Sequence, residues 1–317
     1  MSDRTIELPA AVHNKLRSLG ADGERWLADL GNLVSTIERD WGVRLVTVLN
    51  GGSEACVAHA VDSAGAPCVV KLLLPSATEL EHEITALRIA SGRGYATLLR
   101  YDLARHAMLL EPLGAPLSGL GLAQPQQMKI ICQTLQRSWV QVPETEQLTT
   151  GAQKSAWLRD FIAAAWQSLG QPCSSLAVFC ANEFAQARVD AFDPTASVLV
   201  HGDAHGGNAL LRPGCAPGDS AAFKLVDPDG LLAEPACDLA VPMRDWSDEL
   251  LAGDALRLGR ERCEYLSWLT DVDPIAIWQW GFLERMSTGL YLLQLGFAGE
   301  GRSMLRVAEA WAAEPSR

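Results

Sequence analysis

The glycine-rich stretch His201–Asn208, together with Asp227 further along the chain, contains the side chains of this sequence best suited to chemistry. Asp203 and Asn208 are five residues apart, and Asp227 follows nineteen residues after Asn208. A positioned carboxylate can orient a hydroxyl group and accept its proton. Carboxylate and amide oxygens are ligands suited to Mg²⁺. Transfer of a phosphoryl group to an alcohol uses this combination of groups.

The spacing of Asp203 and Asn208 equals that of the aspartate and asparagine in the protein-kinase catalytic loop, H-R-D-x-x-x-x-N. Asp227 ends a predicted strand, in the place of the metal-binding aspartate of kinases, with Pro-Asp-Gly where protein kinases have Phe-Gly. Either motif alone would be an ordinary Asp-Gly turn. The pair at this spacing predicts Asp203 as the catalytic base and Asn208 and Asp227 as metal ligands.

A metal-dependent hydrolase is a second interpretation of the same loop. His201, Asp203 and His205 alternate in a pattern that could bind a metal ion. No histidine follows His205 in the sequence, although a two-metal hydrolase usually needs further ligands. We therefore favour the phosphotransferase and expect both histidines to support the loop by hydrogen bonds.

Upstream, Lys71 stands alone in the apolar strand Cys68–Leu74. Because burying an unpaired charge is costly, the lysine is interpreted as a group that grips phosphates and pairs with a glutamate on the next helix. We favour Glu83 among the three candidates of that helix, which are Glu79, Glu81 and Glu83. The turn before these strands supplies backbone N–H groups that could cover a triphosphate, at Gly51, Gly52 and Ser53. Asn-Gly is also a common hairpin turn.

Apolar periodicity divides the chain into three parts. Residues 1–40 are predicted to form a helical segment, residues 41–113 a small antiparallel β-rich lobe, and residues 114–317 a larger, mainly helical lobe. The small lobe contains three strands, a helix and two more strands, at 43–49, 55–61, 68–74, 79–91, 98–103 and 107–111. The fold class is therefore α+β and bilobal, with a nucleotide cleft expected between the lobes.

Composition excludes several classes of partner. The formal net charge of −12 is unsuited to nucleic acids and favours a cationic second substrate, although it could also serve solubility alone. The eight cysteines form no Cys-x-x-Cys pair, and we expect small buried thiols. No signal peptide or membrane span is predicted, which indicates a cytoplasmic protein without a membrane partner. The sequence leaves open whether it is a monomer or a homodimer.

These residues resemble the aminoglycoside phosphotransferase family, which has a protein-kinase-like fold, and within it the streptomycin 6-kinase and hydroxyurea phosphotransferase branch. The resemblance covers roughly residues 45–300. It is carried by Val70-Lys71, residues 92–96 and 108–111, the loop 201–208, residues 226–230 and residues 234–240. It departs from the usual pattern at Ala204, Gly206-Gly207 and Cys237, beside the expected acceptor pocket.

The resemblance implies ATP, or GTP, together with Mg²⁺. It also implies that Lys71 binds the phosphates and that the backbone of Glu111–Leu113 contacts adenine. Three residues near the loop are candidate contacts for a cationic acceptor such as streptomycin: Glu234, Asp238 and His205. The two acidic residues could instead brace the following helix. Hydroxyurea, another metabolite, or a nucleotide-binding module without turnover are the alternatives.

Overall fold

The computed structural model describes residues 6–50, 52, 54–75, 80–143, 146–219 and 221–313. Gly51, Ser53 and Glu79 of the predicted nucleotide site lie outside the described residues.

Two helices precede the sheet, where the sequence predicted one helical segment. Helix α1 spans Ala10–Ser18 and helix α2 spans Ala21–Trp41. Gly20, with a φ of 57°, separates them. Apolar side chains of both helices, such as Val12 and Ile37, pack against one face of the following sheet, which presents Val70 to them. The N-terminal segment therefore covers the sheet.

The sheet has five antiparallel strands in the order β1-β2-β3-β5-β4. Its strands are β1 (Val43–Val48), β2 (Ala55–Asp62), β3 (Pro67–Leu73), β4 (Leu98–Asp102) and β5 (Ala107–Leu110), and helix α3 (Leu80–Ala90) lies between β3 and β4 in the chain. Strand β3 is central, and its residues from 68 to 73 are buried. A continuous apolar strand is expected at such a position, since both faces are covered.

Past residue 113 the chain is mainly helical. Its helices are α4 (Gln124–Ser138), α5 (Gly151–Ser168), α6 (Ser175–Asp190), α7 (Ala236–Arg244), α8 (Ser247–Leu251), α9 (Ala255–Thr270), α10 (Pro274–Gln294) and α11 (Ala298–Ala312). Helix α10 lies at the centre, and its Trp280 and Phe282 are fully buried. Among the described residues, no helix has both the length and the apolar character needed to cross a bilayer.

Five short strands hold the loops of chemical interest. They are β6 (Thr149–Thr150), β7 (Val198–Val200), β8 (Ala209–Leu211), β9 (Phe223–Leu225) and β10 (Leu231–Ala233). Strand β10 lies between β6 and β7, whereas β8 pairs with β9. The loop 201–208 joins β7 to β8, and Asp227 follows β9. The predicted bilobal α+β fold is confirmed, and its division at residue 113 stays a prediction.

Candidate active site

The loop 201–208 is anchored on its buried side by Asp238, a fully buried residue of helix α7. The backbone amides of His201 and Gly202 donate to its two carboxylate oxygens at 3.0 and 2.8 Å. The indole N–H of Trp139 donates to the same group at 2.9 Å. Asp238 has no exposed surface, and the structure places it under the loop, where the sequence had suggested a substrate contact.

The ring of His201 joins the loop to the segment that carries Asp227. Its Nδ1 accepts from the amide of Asp203 at 3.1 Å. Its Nε2 is therefore the protonated nitrogen of the neutral ring, and it donates to the carbonyl of Val226 at 2.8 Å. The ring also stacks on the buried Tyr95 at a centroid distance of 5.8 Å. His201 thus sets the relative position of the two acidic sites.

The carboxylate of Asp203 is partly exposed and has a different neighbour at each oxygen. Oδ1 accepts from Nη2 of Arg244 at 3.0 Å, and Oδ2 lies 3.5 Å from Nε2 of His205. Burial alone would raise the pKa of Asp203, but the positive charge and the hydrogen bond of Arg244 oppose it, and the pKa lies below its ordinary value. Asp203 is therefore an ionised carboxylate, as a proton acceptor must be.

Asn208, the last residue of the loop, and Asp227 lie on either side of the β8–β9 hairpin. Nδ2 of Asn208 donates to the carbonyl of Asp203 at 3.0 Å. This bond orients the amide so that Oδ1, the atom able to bind a cation, is on its other side. Asp227 has a φ of 57°, a conformation that aspartate adopts more readily than most residues. Its carboxylate is half exposed.

Lys71 is buried and pairs with two carboxylates. Its Nζ lies 2.6 and 2.8 Å from the two oxygens of Glu83, and 2.8 Å from Oδ1 of Asp227. Burial alone would lower the pKa of Lys71, but the two carboxylates raise it above its ordinary value. The structure thus brings Glu83 to Lys71, whereas Glu81 on the same helix is exposed.

The predicted adenine-contacting segment lies between strand β5 and the C-terminal part. The side chain of Glu111 is turned aside: its Oε1 accepts from the amide and hydroxyl of Thr97, at 2.6 and 2.7 Å, and from the ammonium of Lys224. The backbone amide of Glu111 also donates to the carbonyl of Thr97, at 3.0 Å. Leu113 is partly exposed, and the next residue, Gly114, donates its amide to Leu211 at 2.6 Å. Gly52 is exposed between β1 and β2.

Glu234 lies away from the loop. Ala233 pairs with Val198, and Leu231 with Val200, so the chain leaves strand β10 at the end of β7 opposite to His201. There the carboxylate of Glu234 accepts from Arg188 and from the indole of Trp280. The structure thus separates Glu234 from Asp203, in contrast to the acceptor contact suggested by the sequence.

His205 lies within the loop, beside the carboxylate of Asp203. Its Nδ1 accepts from the amide of Gly207 at 3.0 Å, which leaves Nε2 as the nitrogen that carries the proton and faces Asp203. His205 therefore remains a candidate contact for a phosphate or an acceptor group.

Three charged residues near the loop were missed by sequence reasoning: Lys154, Arg244 and Glu284. Nζ of Lys154 donates to the carbonyl of Gly202 at 3.3 Å and lies 3.0 Å from Oε1 of Glu284. These residues come from helices α5, α7 and α10, and no local motif surrounds them. The available signal was Glu284 itself, an acidic residue followed by Arg285 in a helix rich in apolar side chains.

The chain matches the model of a known family of kinases. The family model of aminoglycoside/hydroxyurea antibiotic resistance kinases aligns with residues 41–294, which is more than half of the chain. The chain belongs to this family. The resemblance found in the sequence is confirmed, and this family member is a small-molecule kinase of the antibiotic-resistance type. A comparison with curated proteins gave no match.

Solved structures of similar fold include two macrolide kinases and a choline kinase. Macrolide 2′-phosphotransferase type I shares 16% identity at a TM-score of 0.56, over 91% of this chain and 98% of that chain. The macrolide 2′-phosphotransferase of Brachybacterium faecium shares 15% sequence identity at a TM-score of 0.55, over 90% of this chain and 99% of that chain. The choline kinase LicA of Streptococcus pneumoniae shares 14% sequence identity at a TM-score of 0.59, over 90% of this chain and 100% of that chain. At these identities the likeness shows a common fold.

Proposed function

We propose that this kinase transfers the γ-phosphate of ATP, with Mg²⁺, to a hydroxyl group of an aminoglycoside such as streptomycin. The observation that carries the proposal is the chain of contacts that links Lys71, Asp227 and Asp203. Lys71 contacts Asp227, and His201 joins the segment of Asp227 to the loop of Asp203. A cation for phosphates and a carboxylate for the hydroxyl proton thus lie at one place.

ATP fits the buried ammonium of Lys71, which is held from behind by Glu83. A point charge fixed on a rigid strand can bind phosphate oxygens without reorganising. The likeness in fold extends to LicA, the choline kinase, for which a complex with AMP is known. Backbone groups of the segment Glu111–Leu113 would contact the base.

Mg²⁺ fits the donor set of Asn208 and Asp227. The described residues hold no cluster of three or more His, Cys, Asp or Glu side chains that could bind a metal by themselves. Mg²⁺ commonly needs one or two protein oxygens, since phosphate oxygens and water complete its shell. When bound, it would neutralise charge on the phosphates.

Asp203 would accept the proton of the attacking hydroxyl through Oδ2. Its other oxygen is engaged by Arg244, and Oδ2 faces the partly exposed His205. The lowered pKa of Asp203 keeps the group ionised, so that it can accept a hydrogen bond from the acceptor hydroxyl and orient its oxygen.

The negative charge of the protein supports a cationic acceptor. The chain carries a net charge of −12, and the partly exposed carboxylate of Asp229 adjoins Gly202 in the loop. Lys154 lies 3.8 Å from Asp229, a distance that leaves this carboxylate only partly neutralised. The guanidinium groups of streptomycin would complement such a surface.

An acceptor screen tests the proposal. The purified protein is incubated with ATP and Mg²⁺ and a panel of aminoglycosides, hydroxyurea and small alcohols, and phosphorylated products are identified by mass spectrometry. We expect a streptomycin phosphate to form. Turnover of hydroxyurea or an unrelated alcohol, without any aminoglycoside product, would refute the acceptor assignment.

A variant tests the base. Asp203→Asn should lose transfer by on the order of 10²- to 10⁴-fold while it still binds ATP, because general base catalysis contributes that much. Arg257→Gln, at an exposed residue of helix α9, is the control and should retain activity. Near-normal transfer by Asp203→Asn would show that another group is the base.

A further inference from the structure

We propose that Arg244 is a positioning residue for phosphoryl transfer, which fixes the carboxylate of Asp203 so that only Oδ2 is presented to the acceptor. The inference rests on the proposed role of Asp203 as the base. Neither the sequence motif nor the family description assigns a role to Arg244.

The guanidinium group of Arg244 has an acidic neighbour at each of its nitrogen atoms. Nη2 donates to Oδ1 of Asp203 at 3.0 Å, and Nε donates to Oδ1 of Asp245 at 3.2 Å. Nη1 lies 3.7 Å from Oε2 of Glu284. Each of the three nitrogen atoms of the planar guanidinium thus faces a different carboxylate. Because the guanidinium plane is rigid, its orientation fixes the direction from which Asp203 is held.

Glu284 supports this arrangement from the core of helix α10. Its side chain is 9% exposed, and its two oxygens face different cations: Oε1 lies 3.0 Å from Lys154, and Oε2 faces Arg244. A buried carboxylate is stable when such partners surround it. Glu284 therefore ties Arg244 to Lys154.

Lys154 completes the arrangement on the backbone side of the loop. Its ammonium donates to the carbonyl of Gly202, the residue directly before Asp203. The catalytic loop is thus held at two points by one connected group, at the backbone through Lys154 and at the carboxylate through Arg244. Both cations belong to helices of the C-terminal part, so the rigid helical core sets the position of the base.

The consequence for catalysis is selection of one oxygen. An unrestrained carboxylate can rotate and present either oxygen to a hydroxyl. With Oδ1 bound by Arg244, the acceptor hydroxyl is directed to Oδ2, next to His205. Correct alignment of reacting groups contributes strongly to rate, and small misplacements are costly. Loss of Arg244 should therefore lower kcat and leave the binding of ATP intact.

A double-mutant cycle between Arg244 and Asp203 tests the proposal on the full-length protein. Arg244→Gln should lower kcat on the order of 10²-fold, with little change in KM for ATP. In the Asp203→Asn background the same substitution should have no further effect on kcat, because Arg244 acts through that carboxylate. Arg244→Lys should recover part of the loss, and Arg257→Gln serves as the matched arginine control.

Chemical rescue separates positioning from folding. In Arg244→Ala, added guanidinium at millimolar concentration should restore part of kcat, whereas loss of structure would not respond. Circular dichroism confirms that each variant is folded. The proposal would be overturned in favour of a purely structural ion pair if Arg244→Gln lowered kcat by the same factor with and without Asp203→Asn and guanidinium gave no rescue. An active Asp203→Asn protein would instead refute the proposed base, so the two failures are distinguishable.

Discussion

The ammonium nitrogen of Lys71 lies 2.8 Å from Oδ1 of Asp227, although 156 positions separate the two residues in the chain. Lys71 belongs to the central strand of the N-terminal sheet, and Asp227 follows a strand of the C-terminal part. This ion pair therefore joins the N-terminal sheet to the C-terminal part. Glu83 holds the same ammonium from the other side.

Replacement of Lys71 by methionine should remove the cation that we propose binds the phosphates. We expect kcat/KM for ATP to fall on the order of 10²- to 10³-fold, the usual loss of one preorganised donor at a charged transition state. Steady-state rates at varied ATP measure the effect. Lys129→Met, at an exposed position of helix α4, is the control. A change within about threefold would contradict a phosphate role, because loss of that donor should cost far more.

Asp238→Asn should act on the loop and not on acceptor affinity. Asparagine offers one acceptor oxygen, so its amide nitrogen would face a donor among the groups that now bind Asp238, the amides of His201 and Gly202 and the indole of Trp139. We expect a loss of about 1–3 kcal/mol in the free energy of unfolding. Thermal and urea denaturation measure it.

For the same variant, kcat should fall because the loop loses its anchor. KM for the acceptor should remain close to that of the parent protein. Asp248→Asn, at an exposed residue of helix α8, provides the comparison. A selective rise in acceptor KM with unchanged stability would support the substrate contact suggested by the sequence.

Gly202→Ala should distort the catalytic loop. Gly202 has a φ of 90°, and a Cβ there would lie 2.6 Å from Oδ2 and 2.8 Å from Cβ of Asp229. Asp229 cannot move freely, because its amide donates to the carbonyl of His201. The displaced loop should cost on the order of 10²-fold in kcat.

Gly218→Ala is the matched glycine control for this loop variant, since a Cβ at Gly218 would meet no atom within 4 Å. Rates of phosphoryl transfer for both variants decide the matter. Equal activity of the two would show that the loop tolerates the added methyl group.

Glu111→Gln should show a stability effect that depends on pH. Burial alone would raise the pKa of Glu111, but hydrogen bonds from Lys224 and Thr97 hold the pKa below its ordinary value of 4.5. A depressed pKa stabilises the fold above the pKa of the unfolded chain, and this contribution is lost as the pH falls through the lower folded value.

Urea unfolding at neutral and acidic pH measures this dependence. The variant should be less stable by about 1–3 kcal/mol at pH 7, and the difference should shrink as the pH falls below 4.5. Glu81→Gln, on an exposed face of helix α3, is the control. A difference that stays constant from pH 7 into the acidic range would rule out the ion pair as its source.

Much of the fold was predictable from local pattern. The strands around Lys71 and the helix that carries Glu83 were located from apolar periodicity and turn residues, within one or two positions of their observed ends. Such signals are local, since a strand or helix must present a regular apolar face to its neighbours. The break at Gly20 between the two N-terminal helices was missed, because helical spacing continues on both sides of it.

By itself the sequence determined the chemical inventory: a carboxylate, an amide and a second carboxylate at kinase spacing, and a lysine in a buried strand. The tertiary structure decided which charges meet. Asp238 and Glu234 are four positions apart. Asp238 anchors the loop, whereas Glu234 follows the end of strand β10 that lies away from the loop. Arg244 and Glu284 reach the loop from separate helices. The physical reason is that burial and pairing of charges depend on how distant helices pack, which residue spacing along the chain does not specify.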